Sequence, residues 1–288
     1  MPDIRSSLYA FQRRRFALVL GTNEIASAVA VQLAWAYYAV VLSHDAFPPV
    51  IRRGMSFHDA LFEDSAEVDG MIGRRAESLF EVAELASQPG QVVVTPLALT
   101  DLIALRMADV LVDARMQKNR VTPDFRNLAR VAIGLGPKFF VGVNCDIAVE
   151  THPAHNGALV ESGATDDPDG KARELGGVGA ERFVYSDRAG VWRTPVEIGM
   201  WVPRGYVIGR HDRMPVCAPI DGYVRGVARD GSSAPAGVKL LEIDPRGRSA
   251  SWTGSDERGR AIAEATLQAI KAHPPRRAPA FAEAAAKV

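Results

Sequence analysis

The chain has 288 residues, 47% of them hydrophobic and 24% charged, enough to bury one or two ordinary cores. Its 34 Lys and Arg balance its 34 Asp and Glu, so no net field draws it to nucleic acid or to an acidic membrane surface, and any binding has to arise at a local site. Two cysteines far apart in sequence, Cys145 and Cys217, an N-terminal stretch 1–15 without the apolar core of a signal peptide, and a longest apolar run (25–42) broken by Ser27 and Gln32 give the expectation of a cytoplasmic protein with no transmembrane span.

The first fifteen residues read as a basic arm. Phe16 to Leu20 is a continuous apolar run closed by Gly21, the pattern of a buried strand. A small-residue helical pattern follows from Ile25 to Trp35, and a second strand runs from Tyr38 to Leu42, ending at Ser43-His44-Asp45. Another unit begins at Gln91–Val94, continues through a helix predicted over 97–107 and a strand at Val110–Val112, and is followed by a strand at Val131–Ile133. This alternation predicts a Rossmann-like α/β domain over 16–180, a parallel sheet with ligands at the carboxyl ends of its strands. Residues 161–171, rich in Asp, Gly and Pro, read as a surface loop or linker.

An internal repeat comes next. Gly190, Gly199, Val202, Gly205 and Ile208 recur thirty-two positions on as Gly222, Gly231, Ala234, Gly237 and Leu240. Paired glycines suit tight turns with apolar strands between them, and neither half is large enough to fold alone. The pattern is that of biotinyl and lipoyl domains and predicts a small all-β barrel-sandwich module over 181–248. The hairpin that would carry the modified lysine, Gly209 to Met214, has none, and no lysine occurs between Lys171 and Lys239, so covalent biotin or lipoate is not expected. A helix and a mobile tail are expected over 249–288.

Three groups of residues are candidates for a site. Gly21-Thr22-Asn23-Glu24-Ile25-Ala26 is a strand-to-helix turn whose backbone N–H groups face a phosphate in dinucleotide-binding folds. Asn23 and Ala26 stand where that fingerprint has glycines, and Asp45 lies where a ribose-binding acid is expected. The alternative is that Gly21 and Asn23 only turn the chain. The second group is Asp113, Arg115 and Lys118 at another strand end, with Gly134 and Gly136 after the next; Arg115 and Lys118 suit a phosphate or carboxylate, and a solvated ion pair is the competing reading. The third is Asp146, Glu150, His152 and His155. Pro153 lies between the two histidines, so the helical spacing of metalloprotease ligands does not apply, and no metal is assigned.

Arg52-Arg53, Ser56-Phe57, Val112-Asp-Ala-Arg-Met116, Ile133-Gly-Leu-Gly-Pro-Lys-Phe139, Asp146, Glu150-Thr151, His155-Asn156-Gly157, Glu174-Leu-Gly-Gly177, Glu181-Arg182 and Ile243-Asp-Pro-Arg-Gly247 together resemble one family. It is the selenium-dependent molybdenum hydroxylase accessory family, similar to xanthine dehydrogenase accessory proteins, and the resemblance runs from the first strand to about Ala269. It departs from that family at the first turn, usually G-A-G-D-I-A, and at Lys138 and Phe140.

The resemblance implies a maturation factor that binds a nucleotide or molybdopterin-like cofactor and serves a molybdo-enzyme client, with Gly21, Asn23, Glu24, Asp45, Arg115, Lys118, Gly134 and Gly136 binding the cofactor. The alternatives are an enzyme or binding protein for a pterin-type one-carbon cofactor (tetrahydromethanopterin-linked metabolism), with Asp113, Asp146 and His155 as its catalytic residues, and a non-catalytic assembly protein. A homo-oligomer is compatible with each; nucleic acid and membrane are not expected partners.

Overall fold

The computed structural model describes residues 4–118, 120–168 and 170–273. The tail expected after His273 lies outside them. Nine strands form one sheet: β1 (Phe16–Leu20), β2 (Ala39–Ser43), β3 (Ser65–Val68), β4 (Met71–Arg75), β5 (Gln91–Thr95), β6 (Ala108–Asp113), β7 (Ala129–Leu135), β8 (Ile147–Val149) and β9 (Leu159–Val160). Their order is β3-β4-β5-β2-β1-β6-β7-β8-β9. The strands from β4 to β8 are parallel, and β3 and β9 join antiparallel at the two edges. The sheet is therefore mixed, not purely parallel. The β3–β4 hairpin turns on Asp69-Gly70, whose φ values of 50° and 77° are those of a type I′ turn.

Helices α1 (Ile4–Arg13), α2 (Glu24–Trp35), α3 (Ala60–Glu63), α4 (Leu79–Ser87), α5 (Leu99–Leu102) and α6 (Glu257–Ala272) complete the large domain. Alternate strand residues point to opposite faces. Val19, Leu42, Val94, Val112 and Ile133 form one core with α2 and α6, while Leu18, Val41, Val93, Leu111 and Ala132 form a second with Phe11 of α1 and Val82 and Ala83 of α4. The segment expected as a basic arm is thus a helix, because Phe11 is buried edge-on to Phe16 at 5.1 Å. The helix expected over 97–107 shrinks to α5. Beyond it the chain turns, and Arg106 donates to the carbonyls of Gln12 and Arg14. α6 closes the first core: Gly259 lies against Ile25 and Ala28, where a Cβ would already touch the Ala28 methyl at 3.4 Å.

Between β9 and α6 the chain builds two antiparallel four-stranded sheets. Their strands are β10 (Phe183–Tyr185), β11 (Gly190–Arg193), β12 (Trp201–Val202), β13 (Val207–His211), β14 (Met214–Cys217), β15 (Gly222–Val227), β16 (Ser233–Ala234) and β17 (Lys239–Asp244). The repeat seen in the sequence is β10–β13 followed by β14–β17. Each copy lends two strands to the other: β10 and β12 pair with β17 and β15, and β14 and β16 pair with β13 and β11. The sheets, β10-β17-β15-β12 and β14-β13-β11-β16, form no closed barrel but share one core containing Trp192, Ile208, Val224, Leu240 and Ile243. Gly199 and Gly231, equivalent in the two copies, turn at φ 87° and 81°.

The loop after β2 joins this module to the large domain. The Ile51 carbonyl accepts from the Val227 N–H at 2.7 Å, and Arg53 Nε donates to the Val227 carbonyl at 2.9 Å. Gly226 makes that approach possible, since a Cβ there would sit 2.9 Å from the Ile51 oxygen.

Candidate functional site

A cleft of about 630 Å³ lies where the carboxyl ends of β6, β7 and β8 meet the β-module and the start of α6. Met116, Pro137 and Glu150 approach it from the large sheet; Arg182, Arg225, Lys239 and Glu242 from the module; Arg258 from α6. Parallel strands open their ligand sites at this end because the connecting loops diverge there.

At its floor Glu242 is fully buried and accepts from Arg52 Nε at 2.7 Å, Arg52 Nη2 at 3.1 Å and Arg182 Nε at 3.1 Å, with Arg225 Nε 3.8 Å away. Burial alone would raise the Glu242 carboxyl, but Arg52, Arg225 and Arg182 hold it below the usual range. Arg52 also donates to Glu24 Oε1 at 3.0 Å, so one guanidinium ties the start of α2 to β17. Arg225 reaches Asp256 at 3.2 Å and the Ser251 carbonyl, and its Nε has no hydrogen-bond partner.

Two cations in this cleft combine burial with the lack of a carboxylate partner. Neither Lys239 nor Arg258 has a carboxylate within salt-bridge distance among the described residues. Lys239 Nζ lies over the Phe183 ring, 3.7 Å from its centroid, and burial, reinforced by Arg52, pushes its ammonium down to about 8. Arg258 donates to the Thr151 carbonyl at 3.2 Å, and burial followed by Arg52 lowers its pKa. Desolvated positive charge without a partner is what an anionic ligand would neutralise.

The residues singled out in the sequence are divided among several places. At the first turn Gly21 has φ 105°, and a Cβ there would press on the Ala114 carbonyl at 3.2 Å. Asn23 does not take the left-handed conformation of the glycine it replaces. It lies at φ −73°, accepts from the N–H groups of Ile25 and Ala26 at 3.0 Å, and donates to the Ala114 carbonyl at 2.8 Å. The carboxamide thus caps the amides expected to face a phosphate, a correction to the phosphate-turn reading. Glu24 is drawn into the cleft network through Arg52.

Asp113, Arg115 and Asp45 form a separate ion group. Arg115 donates to Asp113 at 2.9 and 2.7 Å and lies 3.6 Å from Asp45, which also accepts from Gln117 at 2.8 Å. Lys118 lines the large cleft. Gly136, at φ 98°, makes room for Thr151 and Met116, whereas Gly134 makes room for Phe139: a Cβ there would lie 2.0 Å from the ring. Gly134 therefore serves packing instead of ligand approach. Asp146 stands at the amino end of β8, exchanging backbone and side-chain hydrogen bonds with Ala132 at 2.8 Å, so it does not join the other two residues proposed for proton transfer. His155 lies in the loop after β8, bonded through Nδ1 to Asp166 at 2.8 Å. Asp113, Asp146 and His155 do not converge.

Sequence reasoning passed over Arg52, Arg182, Arg225, Lys239, Glu242 and Arg258 as site residues. Arg52, Arg182 and the 243–247 segment belonged to the family-like motifs, but they are remote in sequence and only folding shows that they share a pocket. It also missed Thr22, whose hydroxyl lies 3.0 Å from His58 Nδ1 and 3.3 Å from His44 Nδ1. Burial, with His44, Arg53 and Arg229 nearby, pushes His58 down to about 3, so it is neutral at pH 7. Arg210 and Arg213, on the hairpin between the repeats, are exposed, and His211 is buried with Nδ1 3.5 Å from Asp187, so this hairpin does not contribute to the cleft.

No protein-family model matches the chain. It is 32% identical over 257 residues to a protein of Escherichia coli (strain K12) described as uncharacterized protein YqeB; the match takes in 89% of this chain and 47% of that protein, so the chain spans about half the length of this curated relative. Among solved structures, a succinylglutamate desuccinylase/aspartoacylase from Rhodobacter sphaeroides is similar at TM-score 0.23 and 16% identity, over 51% of this chain and 60% of that one. The ectoine utilization protein EutE (DoeB) from Ruegeria pomeroyi, product bound, is similar at TM-score 0.25 and 13% identity, over 80% of this chain and 85% of that one. No helix of the described residues is long and apolar enough to cross a membrane.

Proposed function

We propose that this protein binds a phosphorylated cofactor, a nucleotide or a molybdopterin-like pterin, in the cleft between the α/β domain and the β-module, and acts as a cytoplasmic accessory factor in maturation of a molybdenum hydroxylase. The observation that carries the binding is the pair of desolvated cations without carboxylate partners, Lys239 and Arg258, beside Arg52 and Arg182. Lys239 and Arg258 would hold the phosphate, with Arg52 and Arg182, tied to Glu242, supplying the surrounding positive field. The accessory role rests on the resemblance in motif order from Arg52 to Gly247. In this reading the large domain is Rossmann-like but takes its ligand beside the module instead of on the first turn. The module is a biotinyl/lipoyl-like sandwich that supplies a fixed wall, and the client is a molybdo-enzyme.

The lack of convergence of Asp113, Asp146 and His155 favours a binding role over turnover of a one-carbon cofactor. Calorimetric titration of the purified chain with pyrophosphate and with ADP tests it. Saturable binding of one equivalent, weakened at least about tenfold by Lys239→Met or Arg258→Met, is the expected result. Heat of dilution alone with both ligands, or variants that bind like the wild type, would sink the assignment.

A further inference from the structure

We infer that His152, His155 and Asp166 form a binding site for one divalent transition-metal ion, zinc or an ion of similar chemistry, at the mouth of the cleft. One nitrogen of each histidine and one oxygen of Asp166 all lie within 4.8 Å of one another. Zinc bonds of about 2.0–2.2 Å place tetrahedral donors roughly 3.4 Å apart, so the widest pair has to close by at most about 1.4 Å, a side-chain adjustment.

The loop is built to bring these donors together. His152-Pro153-Ala154-His155 is a turn closed by the His155 N–H on the His152 carbonyl at 3.0 Å. Its first and fourth residues therefore stand side by side, with ring centroids 6.2 Å apart. Proline, which excludes the helical spacing of many zinc ligands, is favoured at the second position of such a turn. The buried Glu150 then fixes the two loops to each other. Its Oε1 accepts from the Thr151 and His152 N–H groups at 2.6 and 2.7 Å, and its Oε2 from the Asp166 N–H at 2.7 Å. A buried carboxylate that holds the backbone of two donors is the kind of outer support metal sites use.

The donor chemistry is consistent with this. His155 Nδ1 lies 2.8 Å from Asp166 Oδ2, so these two donor atoms already face each other and a metal ion would take the place of the proton they share. The Ala154 N–H donates to His152 Nδ1 at 3.3 Å, one of the contacts that ligation through this nitrogen would displace. Two imidazoles and a carboxylate suit zinc, iron or cobalt and are poor ligands for calcium or magnesium. Three protein donors leave a coordination position open, and because His152 and Asp166 line the cleft, that position faces its interior. The site rests on these loops alone and does not depend on the anion reading.

The test is a Co²⁺ titration of the chain followed by visible absorption, with displacement by Zn²⁺ and native mass spectrometry for stoichiometry. One equivalent with ligand-field bands is expected. His152→Ala, His155→Ala and Asp166→Asn should each weaken binding by at least about tenfold, while Cys217→Ser and His273→Ala should leave it unchanged. All three substitutions fall in surface loops, and circular dichroism verifies that the variants fold. Loss of binding in Cys217→Ser, wild-type titrations in the histidine variants, or no bound cobalt at all would overturn the site. An ADP titration of metal-free protein in chelator reads the anion site separately, so either can fail alone.

Discussion

The two copies of the β-module share a strand plan and put it to opposite uses. Thirty-two positions relate Arg193 to Arg225, Val207 to Lys239, Arg210 to Glu242 and Asp212 to Asp244. In the first copy all four residues are exposed; in the second, Arg225, Glu242 and Asp244 are at most 4% exposed, and Lys239 is partly buried in the cleft. A shared strand plan therefore does not fix the chemistry. What differs is the neighbour: the second copy's sheet meets the Arg52 loop and the start of α6, and every charge on it must be partnered or left for a ligand.

The largest expected effect comes from breaking that partnership. Glu242→Ala leaves Arg52, Arg182 and Arg225 buried around an empty position and should cost about 3–5 kcal/mol, read as a lowered urea midpoint. Arg210→Ala, the equivalent change in the first copy, should stay within about 0.5 kcal/mol; equal losses would mean that the module alone, not its docking, sets the cost.

Lys239→Met ranks next and should act in two directions. It removes a desolvated charge, so the unliganded protein should melt higher at pH 7, while ADP binding weakens at least about tenfold. Val207→Met should change neither. A Lys239→Met protein that melts lower would show that the ammonium is compensated after all.

The pH dependence sharpens the same contrast. Lys239 titrates lower in the folded chain than in the unfolded one, so the unfolded state binds more protons between about pH 8 and the ordinary lysine range, and this residue's contribution to stability rises with pH across that window. Anion affinity runs the other way, falling as pH rises through about 8 and the ammonium is lost. Calorimetry from pH 7 to 9.5 should show that fall in wild type and a flatter profile in Lys239→Met. A small effect is also expected from Arg193→Ala, whose exposed pair with Asp230 at 3.3 Å should contribute less than about 1 kcal/mol to thermal stability. A larger loss would place this strand in an interface.

Much of this architecture was legible in the residues. Continuous apolar runs marked β1 and β2, the first closed by Gly21, and the paired glycines located the repeat, because strand burial and positive φ constrain residue type locally. The β3–β4 hairpin carried a signal too, Asp69-Gly70 between alternating apolar residues, but it was passed over. The strand exchange between copies, the burial of Phe11 and the return of α6 to α2 depend on contacts remote in the chain and have no local signature. The cleft was illegible for the same reason: Arg52, Arg182, Lys239 and Glu242 acquire meaning only when three segments meet. Asn23 misled in a different way. It stands at a glycine position of the phosphate-binding fingerprint, but it serves as a helix cap, a role asparagine fills well.

The packing of α6 on α2 has a consequence for how the chain is made. The β-module interrupts the α/β domain, leaving it after β9 and returning to it only at Glu257. Until α6 has emerged from the ribosome, the face of the sheet that buries Val19, Leu42 and Val112 is left incompletely covered, although the strands that form it were synthesised much earlier. The module, complete by Asp244, is free to fold first. Strands made before the module are thus sealed only after it, and a nascent chain that stalls before Ala272 would present an open apolar sheet to chaperones and to its neighbours.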